Sequence, residues 1–250
     1  MSDPWEYRPA ADIELSPREQ LCSLRREPGL VSTGLHVLWR SMTRGYLKVG
    51  HRLRVVGKTH LPKAPPVVVV ANHASHLDAL VLCSALPLPW RDRVFPIAAG
   101  DTFFASRGRA IFAATMLNAL PMWRKRRAVR QDLGTLRARL TDDALAFVLF
   151  PEGTRSRTGE LGSFKGGLGA LVAETSVPVV PAWIEGAYKA LPPGRRVPRP
   201  SRIEVRFGPP LRFEDTSNSK EGWREIRDRI RAAVGELGRG HEDAADRDPR

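Results

Sequence analysis

The segment Asn72-His73-Ala74-Ser75-His76-Leu77-Asp78 brings an imidazole and a carboxylate close together in the chain. An imidazole titrates near ~6.5 and can take a proton at neutral pH. A carboxylate reaching back across a turn can hydrogen-bond the other ring nitrogen, fix the tautomer and stabilise the imidazolium as it forms. His73 and Asp78 therefore read as a general base and its orienting group. No serine or cysteine nearby stands out as a nucleophile, so the base would act directly on a substrate hydroxyl. The competing reading is local, with His73 closing a turn and Asp78 capping a helix.

A second segment, Pro151-Glu152-Gly153-Thr154-Arg155-Ser156, follows the apolar run Phe147-Val148-Leu149-Phe150. Gly153 permits close backbone approach, Arg155 offers a bidentate fork for phosphate or carboxylate, and hydroxyls flank them. Phosphate capture is the natural use, and a salt-bridged loop the plain alternative. Beyond it, Gly159, Gly162, Gly166, Gly167 and Gly169 mark a loop that bends closely around something. Lys165 in that loop reads either as a surface lysine or as a second phosphate contact at a helix start.

Together these segments resemble the glycerolipid acyltransferase family, which includes lysophosphatidic acid and glycerol-3-phosphate acyltransferases. Asn72-His73 to Asp78 is similar to its first block, Phe150 to Ser156 to its third, and Val177-Pro178-Val179-Val180-Pro181-Ala182 to its fourth. The blocks fall in the family's order and the resemblance covers roughly positions 50 to 210. The second block is the departure: Asn118-Ala119-Leu120-Pro121-Met122-Trp123-Arg124 matches tellingly only at Arg124, which the resemblance assigns to the acceptor's phosphate. The resemblance implies transfer of an acyl group from acyl-CoA or an acyl carrier protein to a hydroxyl of lysophosphatidic acid or a related glycerol phosphate. His73 and Asp78 would be catalytic. Arg124, Glu152, Gly153, Thr154, Arg155 and Lys165 would bind substrate, with Glu152 orienting Arg155 or a substrate hydroxyl. No cofactor is implied, and His51, His60, His73 and His76 lack a partner set for a metal.

Such groups need strand ends to hold them. Val67-Val68-Val69-Val70 is short, β-branched and bounded by Pro65-Pro66, which predicts a strand buried on both faces that stops at His73. Leu80, Leu82 and Leu86 then suit a helix with Asp78 in or near its first turn. Further strands are expected at 52–57, 94–99, 147–150, 179–184 and 202–207, and helices over 103–117, 128–140 and 168–175. A last helix carries Trp223, Ile226, Ile230 and Val234 on one stripe and starts at Asn218, three residues before Glu221. The alternation predicts an α/β fold: one domain with a mostly parallel central sheet flanked by helices and an N-terminal amphipathic helical segment. The expected divisions are a disordered tail at 1–17, the amphipathic segment at 18–50, the catalytic domain at 51–237 and a second disordered tail at 238–250.

Leu35, Leu38, Met42, Tyr46, Val49 and Leu53 recur at helical spacing among Arg40, Arg44, Lys48 and Arg52. That pattern serves a helix packed on the sheet with a solvated basic face, or one lying on an anionic bilayer. The bulky surface of Phe103, Phe104, Ile111 and Phe112 reads as core or as the wall of an acyl-chain groove. Beyond Arg124, the basic residues Lys125, Arg126 and Arg127 read as a solvated face.

In 250 residues, 42% hydrophobic, there is material for one full core. Forty basic against 27 acidic residues, a formal net charge of +13, would attract nucleic acid, anionic head groups or an acidic carrier. The basic residues are dispersed and carry no nucleic-acid-binding signature, so no nucleic-acid partner is expected. A thioesterase or lipase is the other rival, but no Gly-x-Ser-x-Gly elbow is present. Cys22 and Cys83 are too few for a disulfide framework. With no apolar run long enough to cross a bilayer and no secretory pattern, the expected location is cytoplasmic, peripheral on the inner face of the cell membrane.

Overall fold

The structure, a computed structural model, describes residues 12–27, 30–100, 106–122 and 126–245. Its centre is β2 (Val67–Ala71), every residue of which is buried, as its β-branched run requires of a strand covered on both faces. Val67, Val69 and Ala71 pack into one apolar cluster, while Val68 and Val70 pack into another on the opposite face. Around β2 stand β1 (Arg54–Val56), β3 (Val94–Ala99), β4 (Leu120–Met122), β5 (Ala146–Leu149), β6 (Val179–Glu185) and β7 (Glu204–Phe207). The seven strands run in the order β1-β7-β6-β2-β5-β3-β4. Neighbours are parallel except β6 and β7, which pair antiparallel. The fold is thus the mostly parallel α/β sheet expected, with one antiparallel pair that the strand spacing did not reveal.

The crossovers are helical. On one face lie α2 (Leu30–Gly50) and α3 (Asp78–Ala85). On the other lie α5 (Arg126–Asp142), α6 (Gly167–Val172) and α8 (Lys220–Ala245), whose Ile226, Ile230 and Val234 are fully buried. Helix α6 and helix α8 cross closely at Gly169, where a Cβ would sit 2.5 Å from Trp223 Cα. Short helices among the described residues include α1 (Pro17–Cys22), α4 (Arg107–Ile111) and α7 (Ala187–Ala190).

Several expectations are corrected. Residues 12–16, inside the expected disordered tail, form a turn: Asp12 is buried and accepts the Glu27 N–H at 3.0 Å, and Ser16 with Glu19 makes a capping box that starts α1. The expected tail from Gly238 is helical to Ala245. Its continuation has a local cause, because Arg206 Nη1 donates to the Leu237 carbonyl at 2.6 Å and Gly238 packs against the Trp183 ring. The cap of α8 is Ser219, whose hydroxyl accepts the Gly222 N–H at 3.2 Å; the Asn218 side chain accepts from the Trp223 indole instead.

In place of one helix over 103–117, the described part is α4 followed by a π-turn at Phe112–Met116. Phe103 and Phe104 lie outside the described residues. Ile111 and Phe112 are exposed rather than core, because Ala110, Ala113 and Ala114 form the buried face. Of the two readings of the α2 pattern, the one with its apolar stripe packed on the sheet is overturned. His36, Arg40, Thr43 and Leu47 face inward, while Leu35, Leu38, Met42, Tyr46 and Val49 face out. Arg40 reaches the Cys83 carbonyl at 2.6 Å, satisfying an acceptor in the last turn of α3 where a cation is electrostatically favoured.

Candidate active site

Strand β2 stops at Ala71 because the next residue is taken up sideways. Asn72 clamps the neighbouring strand, donating to the Ile184 carbonyl at 3.1 Å and accepting the Ile184 N–H at 2.7 Å. Ser75, fully buried, donates to the Leu191 carbonyl at 2.8 Å and accepts the Leu77 N–H at 3.1 Å. Sequence reading passed over both residues. The signal was available, since a buried polar side chain beside a strand end must find partners.

Between these clamps His73 Nδ1 lies 2.8 Å from Asp78 Oδ2. The same oxygen accepts the Ala74 and Ser75 N–H groups, each at 2.7 Å, and Asp78 is only 1% exposed. With an ionised carboxylate as acceptor, Nδ1 carries the proton and Nε2 presents its lone pair. The imidazole stacks on Phe150 with ring centroids 4.4 Å apart and keeps 20% of its side chain exposed. This arrangement suits a base that accepts a proton through Nε2 from a molecule at the sheet edge.

The segment after β5 braces the same loop. Glu152 was expected to orient Arg155 or a substrate hydroxyl; instead Oε1 accepts the His73 N–H at 2.7 Å and Oε2 the Gly162 N–H at 3.0 Å. Burial holds its carboxyl above the usual carboxylate range, opposed by those two hydrogen bonds. The Ser156 N–H also donates to the His73 carbonyl at 2.7 Å. His73 is therefore gripped through its backbone from both sides by one loop.

Gly153 turns this loop with φ +69, and a Cβ there would overlap the end of the Lys165 side chain, which lies across it. The structure thus brings Lys165 to the same loop as Arg155. Thr154 is exposed at the turn. Arg155 is half-buried, and its Nη1 is sealed from solvent without a hydrogen-bond partner. His76, on the His73 loop, is pushed below the ordinary imidazole range by burial, with the nearby charges of Arg155 and His73 adding to it. The guanidinium and the His73–Asp78 pair therefore share one region. Arg124 lies outside the described residues, just beyond β4.

The chain's residues 52–185 match the family model described as Acyltransferase. It is 35% identical over 169 residues to the mouse 1-acyl-sn-glycerol-3-phosphate acyltransferase alpha, covering 66% of this chain and 56% of that protein. To the chloroplastic 1-acyl-sn-glycerol-3-phosphate acyltransferase LPAT1 of Arabidopsis thaliana it is 30% identical over 165 residues, 63% of this chain and 42% of that one. The chain therefore spans about half the length of these relatives. A solved structure, the 1-acyl-sn-glycerophosphate (LPA) acyltransferase PlsC from Thermotoga maritima, superposes with TM-score 0.62 at 26% identity, covering 83% of this chain and 80% of that one.

Proposed function

Because the chain belongs to the acyltransferase family, with more than half of it matching that family's model, we propose that it acylates the free hydroxyl of lysophosphatidic acid or a close relative, drawing on an acyl thioester. The donor would be acyl-CoA or an acyl carrier protein. His73 Nε2 takes the hydroxyl proton as the oxygen attacks the thioester carbonyl. Asp78 steadies the imidazolium. Collapse of the tetrahedral adduct expels the thiolate, which recovers the proton from His73, leaving an ester and a free thiol. Positioned base catalysis of this kind contributes about 100- to 10,000-fold, and proximity of two bound substrates adds to it.

The observation that carries this reading is the 2.8 Å contact that leaves Nε2 as the free basic atom of a partly exposed ring. The unpartnered guanidinium of Arg155, with Lys165 and Arg124, supports capture of the acceptor's phosphate. Arg155→Ala raises KM for lysophosphatidic acid about tenfold or more and leaves KM for the acyl donor near its starting value. Equal rises for both substrates would place the phosphate elsewhere.

A lipid acceptor has to be drawn from a bilayer. No helix among the described residues is long and apolar enough to cross one. The outward stripe of α2, with Met42 62% and Val49 83% exposed, continues into Phe112, whose ring meets Trp39 edge-on at 6.0 Å. That apolar surface, with Lys48 in the last turn of α2, supports a protein lying on the anionic inner face of the cell membrane. A Met42→Asp/Val49→Asp variant is expected to lose most co-sedimentation with phosphatidylglycerol vesicles, and undiminished binding would refute this orientation.

A further inference from the structure

Beyond the catalytic loop, a cleft of about 1280 Å³ opens where β6, β7 and β1 end beneath the second half of α8. It exceeds the roughly 300–1,000 Å³ usual for a small-molecule pocket. The cleft exists because this corner of the sheet carries polar residues on the side facing α8. Val205 and Phe207 of β7 point into the opposite core, which leaves Glu204 and Arg206 on the open face. Register places Arg54 beside Glu204 and Arg206 beside Trp183, so charge and indole line one floor.

The charges of this floor do not balance. Six cationic side chains line it, those of Arg54, Lys189, Arg202, Arg206, Arg231 and Arg239, against three carboxylates. Glu204 is already shared between Arg206 at 2.7 Å and Arg54 at 3.6 Å. Glu185 accepts the Trp183 indole N–H at 3.0 Å and the Gly186 N–H at 3.3 Å. Arg231 donates to the Gly162 carbonyl at 2.9 Å. Lys189, Arg202 and Arg239 are exposed and their side chains make no ion pair or hydrogen bond among the described residues, and Arg206 Nη2 is buried without an acceptor. The result is a concave surface with separated, uncommitted cations beside an aromatic ring.

The cleft is joined to the catalytic loop. Gly159, Glu160 and Leu161 form part of its wall, and Gly162 is held by the same Glu152 carboxylate that receives the His73 N–H. Glu185 and Gly186 continue directly from Ile184, the residue clamped by Asn72. At about 5 Å per strand, the corner begins roughly one strand from the end of β2.

We propose that this cleft binds the nucleotide end of a coenzyme A donor, its cations taking the separated phosphates while the pantetheine arm runs along the Ser156–Gly162 loop to His73. The assignment rests on the acyl-transfer reading above and selects between its two donors. Several anions spaced along one molecule suit dispersed cations, and a concave site suits a small molecule better than the convex face of a carrier protein.

The test is binding of adenosine 3′,5′-bisphosphate to the full chain by calorimetry, followed by kinetics. The wild type binds it, and Lys189→Glu/Arg202→Glu weakens binding about tenfold or more. The same variant raises KM for palmitoyl-CoA by a similar factor, with KM for S-palmitoyl-pantetheine, which lacks the nucleotide, unchanged. Should the double variant fail to fold, Arg239→Gln supplies the same comparison with a smaller change. Failure of the wild type to bind the bisphosphate, or parallel KM rises for both donors, overturns the assignment. Binding without acylation of lysophosphatidic acid would instead refute the acceptor reading and leave this site standing. Acylation from a carrier protein alone, without nucleotide binding, would do the reverse.

Discussion

Replacing His73 with alanine lowers acyl transfer by about 100- to 10,000-fold while the far-UV circular dichroism stays that of the wild type. The fold should survive because the loop is held through groups that the substitution keeps. The backbone N–H and carbonyl of residue 73 still meet Glu152 and Ser156, and Asn72 and Ser75 still clamp their strand and loop partners. What disappears is the Nε2 atom proposed to take the hydroxyl proton, together with a ring stacked on Phe150. A variant that turns over at near-normal rate would dismiss His73 as the base.

Asp78→Asn is expected to cost almost as much, by a different route. Asp78 Oδ2 is a single acceptor for His73 Nδ1 and for the N–H groups of Ala74 and Ser75. An amide is neutral, so with its oxygen in that place it keeps the three hydrogen bonds but loses the charge that stabilises the imidazolium, and with its NH2 there it forces His73 into the other tautomer and orphans both N–H groups. Where a carboxylate orients a catalytic histidine in this way, the amide exchange costs up to about 10,000-fold. Asp78→Ala adds a folding penalty, because two buried N–H groups are orphaned at about 1–3 kcal/mol each. Thermal denaturation should therefore separate Ala from Asn, while kcat falls for both. In the His73→Ala/Asp78→Asn double variant the loss should barely exceed that of either alone, since the two groups act as a unit. Additive losses would show that Asp78 acts apart from His73.

Much of this site is legible in the sequence. Val67 to Val70 could only be a doubly buried strand, and a strand that stops at an imidazole followed by a carboxylate at a helix start is an informative junction. The run from Phe147 into Arg155 was legible for the same reason. Glu152 was misjudged because a charged side chain in a substrate-binding motif suggests a substrate contact. Its two backbone acceptors lie far along the chain, at His73 and Gly162, and no local pattern announces them. The orientation of α2 was hidden for a related reason. Periodicity identifies an apolar stripe but not which way it faces, and here Arg40, anchored to the end of α3, turns the stripe outward. The end of α8 depended on Arg206 and Trp183, both distant in sequence. The antiparallel pairing of β7 likewise rests on a chain reversal between residues 190 and 204 that strand composition does not encode.

The most direct measurement of the central claim is product analysis by mass spectrometry. Purified protein, with the His73→Ala variant alongside, is given an acyl thioester and a set of acceptors comprising glycerol phosphate, lysophosphatidic acid and phosphate-capped lysophospholipids. Phosphatidic acid formed from lysophosphatidic acid by the wild type, and absent with His73→Ala, is the predicted result. Free fatty acid as the sole product, or acylated product made equally well without His73, would contradict it.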